Sequence, residues 1–134
     1  MIKYVISGLL LTVALFGNGE KIYDRECLSC HQKFLPKSYV KKHLKELKAP
    51  PMIQVVKNLK KSIIVPENDE DIQIRVISAF MKDYIKYPDM MAGFCSPFVY
   101  DLFGEMPSLK DRLTQDEVDS VINWIVEEYY DKDF

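Results

Sequence analysis

Cys27-Leu28-Ser29-Cys30-His31 constrains this chain more than any other run in it. Two cysteines three apart, followed at once by histidine, form the C-x-x-C-H attachment signature of a c-type haem. The spacing brings both sulfurs to one side of the backbone, where they can form thioethers with the vinyl groups on one edge of a porphyrin. His31 is then delivered beneath the iron as an imidazole ligand. A covalently held macrocycle needs only a small apolar shell, so a short helical chain suffices to wrap it. Rival chemistries fit less well. A thioredoxin-like dithiol needs a strand-helix-strand setting, and no segment sustains the alternation of a strand. A structural zinc site needs a full tetrahedral ligand set, and beyond the motif only Cys95 and His43 are of the usual type. A plain disulfide between Cys27 and Cys30 is the third alternative.

The rest of the chain agrees with one small domain. It has 134 residues, 48% hydrophobic and 28% charged, with a formal net charge of -2. That is apolar enough for a core and excludes a disordered tail protein. The charge balance argues against a nucleic-acid binder. Three cysteines are too few for a disulfide-stapled mini-domain. Lys3, an apolar run from Tyr4 to Phe16, and the small residues Gly17 and Gly19 follow the order of a secretory leader. The run is shorter than the ~20 residues of a membrane span. Residues 1–19 are therefore expected to be a signal peptide, and residues 20–134 the haem-binding domain, placed in the periplasm. Loss of the leader moves the net charge to -3.

Helical patterns fill the mature chain. Short helices are expected over Glu20–Cys30, Tyr39–Leu47 and Met52–Lys60. The acidic cluster Glu67–Asp71 suits a helix N-terminus, where backbone N–H groups lack partners. Behind it Ile72, Val76, Phe80 and Tyr84 recur every four residues, with Ile77 and Met81 beside them, and Pro88 ends the helix. Gly93, Pro97, Gly104 and Pro107 break the next stretch into loops around a short helix at Phe98–Phe103. Thr114 and Glu117 form a capping-box pair for a last helix, whose apolar stripe is Val118, Val121, Ile122, Ile125, Val126 and Tyr129. The expected fold is all-α.

One motif means one haem, and the second axial ligand must come from elsewhere. A thioether sulfur is a soft ligand that raises the reduction potential. Met106, in Gly104-Glu105-Met106-Pro107, precedes the capped last helix. Spacing alone leaves Met52, Met81, Met90, Met91 and His43 beside it. Met81 reads as core, and His43, among lysines, as a surface histidine. Cys95 reads as a small buried residue.

These residues resemble a class I, monohaem cytochrome c. The likeness runs from Gly19-Glu20-Lys21-Ile22-Tyr23 and Cys27–His31, as opening helix and haem site, to Met106-Pro107, Leu109 and Leu113–Val118, as methionine loop and closing helix. It departs in having Gln32 where a glycine often follows the haem histidine. The resemblance implies a small cytochrome c-like helical domain wrapped around one haem c, its iron bound by His31 and Met106. It also implies that a proline carbonyl orients the His31 ring; Pro50 or Pro51 matches by order, with Pro36 in range.

A chain of this kind is expected to carry one electron between a redox donor and acceptor protein. It would not be an enzyme and would have no small-molecule substrate or nucleic-acid partner. The other readings are a haem enzyme or gas sensor with an open sixth position, and a haem subunit of a membrane respiratory complex. Lys37–Lys61 holds eight lysines against Glu46, while Asp111–Phe134 holds eight acidic against two basic side chains. Such an uneven field can steer a partner.

Overall fold

The computed structural model describes residues 18–134, and these form six α-helices with no strand among them. The expected leader lies outside the described residues except for Asn18 and Gly19, which open the first helix, α1 (Asn18–Glu26). α2 (Lys37–His43), α3 (Met52–Ser62), α4 (Glu70–Tyr84), α5 (Pro97–Phe103) and α6 (Gln115–Tyr129) follow. Among the described residues no helix is long and apolar enough to cross a membrane.

The clearest local signals form as read. Thr114 caps α6 by accepting from the Glu117 N–H, and the Glu117 carboxylate accepts from the Thr114 N–H in return. Asp69 caps α4 by accepting from the Ile72 N–H at 3.0 Å, with Glu70 and Asp71 in the first turn. Pro50-Pro51 keeps the chain extended before α3, because a residue preceding proline avoids helical backbone.

α6 is the hub. All six residues of its stripe are buried, and α1, α3 and α4 pack onto it. α1 presents Gly19, Ile22 and Tyr23, and α3 presents Met52, Ile53, Val56 and Leu59. Each such aliphatic side chain contributes about 1.5–3 kcal/mol through burial. Gly19 allows the closest approach. A Cβ there would lie 2.5 Å from the Ser120 carbonyl oxygen and 2.5 Å from Trp124 Cβ. Trp124 fills the space between the helices, its ring centroid 5.2 Å from that of Tyr23. α2 buries only Val40, and α5 buries nothing.

Three expectations need correcting. The first helix ends at Glu26, not Cys30, and the motif occupies the turns that follow. The stripe of α4 is also displaced: Ile77 and Met81 are buried, whereas Ile72 and Val76 are 38% and 42% exposed. A four-residue repeat overshoots a helical turn by about 40° per step, so it winds off any one face. Cys95 is exposed in the loop before α5, not buried.

Candidate functional site

The C-x-x-C-H turn grows directly out of α1. The Cys27 N–H donates to the Tyr23 carbonyl at 2.8 Å, and the His31 N–H donates to the Cys27 carbonyl at 2.8 Å. Cys27 is half-buried against the core and Cys30 is exposed, both as free thiols. Burial pushes the Cys27 thiol up to about 12, with the charges of Glu26 and Cys30 adding to the effect. Among the described residues no group of three or more His, Cys, Asp or Glu could hold a metal ion, so the zinc reading lacks a ligand set.

The His31 ring is held by Pro50. Its Nδ1 lies 2.8 Å from the Pro50 carbonyl oxygen. A carbonyl only accepts, so Nδ1 carries the proton and Nε2 keeps its lone pair. Burial lowers the His31 pKa, and the bond to Pro50 opposes this only in part. A neutral imidazole with one nitrogen engaged by a backbone carbonyl has the form of a metal-ligating histidine. Of the prolines left open by order, the structure selects Pro50. Its carbonyl is free because α3 begins two residues later.

The segment after the histidine is tied down as well. The first N–H groups of α3 have no partners inside their own helix. Met52 donates to the Gln32 carbonyl at 2.7 Å and Ile53 to the Lys33 carbonyl at 3.3 Å. Lys33 closes the turn against α1 by pairing with Glu20 at 2.7 Å and Asp24 at 2.9 Å. The Tyr23 hydroxyl donates to the His31 carbonyl at 2.5 Å. The sequence named Tyr23 only as part of the opening helix, so its hydroxyl bond went unread.

Met106 sits on a different kind of support. α5 is followed by Gly104, whose positive φ of 73° glycine adopts freely. Past Met106-Pro107, the Ser108 hydroxyl donates to the Lys86 carbonyl at 2.5 Å and the Leu109 N–H to the Ile85 carbonyl at 2.8 Å. The loop is thus pinned to the end of α4. Met106 is half-buried against the core and borders an open cavity of about 810 Å³ shared with Tyr87, Pro88, Lys86 and Lys110.

The other candidate ligands are occupied or far outside. Met52 and Met81 are each 5% exposed and fill the core. Met91 is 93% exposed, and Met90 stands on the surface beside it. His43 stacks on Tyr39 and pairs with Glu46 at 3.1 Å, as a surface histidine does. Cys27 and Met106 pack against the same core cluster from widely separated parts of the chain.

No protein-family model matches the chain. No solved structure matches it. A protein of Aquifex aeolicus (strain VF5), described as an uncharacterized protein, is 30% identical to it over 123 residues, covering 86% of this chain and 76% of that one.

Proposed function

We propose that this chain, which belongs to one family with the Aquifex aeolicus protein, is an exported c-type cytochrome that carries one electron on a single haem. The observation that carries the reading is the His31 ring. It follows a C-x-x-C pair, is neutral, and donates from Nδ1 to Pro50, leaving Nε2 to bind iron. Cys27 and Cys30 would hold the haem by adding their S–H groups across its two vinyl groups. When bound, haem c supplies an iron that cycles between ferric and ferrous states.

The residues present fit that group. Among the described residues, Met106 is the methionine that is neither sealed in the core nor on the open surface, and its soft sulfur suits low-spin iron. With His31 and Met106 both engaged, the metal has no place for a substrate. Exposed Phe94 and Phe98 supply apolar surface of the kind a macrocycle covers.

The donor and acceptor are redox proteins, at least one of them acidic where it docks. Lys41, Lys42, Lys45 and Lys48 lie between the two residues that form the histidine bond, His31 and Pro50. Among the described residues none of the four pairs with a carboxylate, whereas Lys33, Lys57, Lys60, Lys82 and Lys132 all do. In this reading the apolar leader carries the chain to the periplasm. The leader expected over residues 1–19 would in that case be cut slightly earlier, before Asn18, because Gly19 packs in the α1–α6 seam.

The test is the visible spectrum of protein made in cells competent for haem attachment, oxidised, reduced and then exposed to carbon monoxide. Sharp low-spin c-type bands that ignore carbon monoxide are expected. A carbon-monoxide-sensitive spectrum would transfer the chain to the haem-enzyme or sensor class, which the open cavity beside Met106 favours as second reading. Absence of haem bands sinks both.

A further inference from the structure

We infer that the Tyr23 hydroxyl is a positioning group for His31: by holding the His31 carbonyl it sets the direction in which the ring meets Pro50. The inference rests on the reading of His31 as the iron ligand.

Tyr23 is wholly buried on the inner face of α1. Packing there requires only an aromatic ring, and phenylalanine would fill nearly the same volume. A buried hydroxyl is costly unless it finds a partner, and this one finds the His31 carbonyl oxygen at 2.5 Å. Among the described residues that oxygen has no backbone donor, whereas the next two carbonyls receive the N–H groups of Met52 and Ile53. The three carbonyls from His31 to Lys33 are therefore all satisfied, the first by a side chain of α1 and the others by the start of α3.

The donor is fixed in position. The Tyr23 ring is wedged against Trp124, and Lys33 lies 5.9 Å from its centroid, held by Glu20 and Asp24. Without the hydroxyl the His31 peptide can rotate, and the ring loses its aim at Pro50.

Tyr23→Phe tests this against Tyr130→Phe. Tyr130 is equally buried, and its hydroxyl donates to Gln73 Oε1 at 2.6 Å instead of to the motif. Two readouts separate positioning from mere stability. Nitrogen NMR of the haem-free chain reports the His31 tautomer, and the haem-loaded chain reports the reduction potential. Wild type and Tyr130→Phe are expected to keep the Nδ1–H tautomer and one potential. Tyr23→Phe is expected to mix tautomers and to raise the potential, because a loosened Nδ1 bond makes the imidazole a weaker donor to iron. A Tyr23→Phe chain that loses stability as Tyr130→Phe does, yet keeps tautomer and potential, overturns the assignment. If no haem attaches, the cytochrome reading fails, and the tautomer still decides the role of Tyr23. If Tyr23→Phe does not fold, the carbonyl carbon shift of wild-type His31 decides: the value of an unbonded carbonyl overturns the inference.

Discussion

The two candidate iron ligands stand on unlike supports. His31 is held through its ring by Pro50, through its carbonyl by Tyr23 and through its neighbours by the start of α3. Met106 rides a loop fastened on one flank by Ser108 and Leu109, with an open cavity on the other. Its approach from α5 offers only a glycine turn and a helix with no buried residue. The protein builds one ligand in full by itself. On the proposed reading, Met106 would reach its final place only once the haem is bound, so attachment through the histidine side would come first.

The largest expected effect breaks the comparison outright. Cys27→Ala with Cys30→Ala abolishes covalent haem, while Met106→Ala keeps it in full and becomes sensitive to carbon monoxide; haem staining after denaturing electrophoresis and the reduced spectrum read the two. Next come the glycines that serve each side. Gly19→Ala forces α1 from α6 and costs about 1–3 kcal/mol in urea unfolding, as overpacking does. Gly104→Ala meets no atom within 4 Å, so it carries only the strain of a glycine-only backbone conformation, φ 73° and ψ -173°, about 1–3 kcal/mol. Equal losses in the yield of attached haem from the two would erase the distinction between the supports. Thr114→Ala removes the α6 cap and costs ~1 kcal/mol, seen as a lower urea midpoint at constant slope.

The smallest effect is in pH. The Thr114 backbone N–H and the Arg25 guanidinium hold the Glu117 carboxyl below its usual range, and Arg25 ties α1 to α6. Lys82 lowers Asp119 likewise. A depressed carboxylate binds fewer protons folded than unfolded. Its stabilisation is therefore present above the ordinary carboxylate range and fades as pH falls through the lowered value. Glu117→Gln is expected to flatten the acid limb of stability against pH, and an unchanged limb would remove Glu117 from that role.

What could be read in the sequence was what is local. The motif, the Thr114–Glu117 box and the α6 stripe each lie within a few turns of chain, and the last two formed as read. The face of α4 was misread because its burial is decided by α6, which no four-residue repeat encodes. Cys95 was misread because cysteine is small and apolar in any setting, and only the loop placed it outside. Spacing could not reach the Pro50 contact across 19 residues, and resemblance narrowed it only by order. The Tyr23 hydroxyl stayed hidden because tyrosine serves as plain bulk as often as it serves as a donor.

The seam between α1 and α6 joins the first described helix to the last, through Gly19, Ser120 and Trp124. A chain made from its N-terminus has nothing to lay α1 against until nearly the whole of it has been synthesised. The cysteines at the end of α1 are thus left open for as long as the chain is incomplete. Cys27 closes against the core only when α6 arrives, and Cys30 stays exposed. On the proposed reading, this would leave an interval in which a bulky group could be joined to the two cysteines before the wall behind Cys27 is raised.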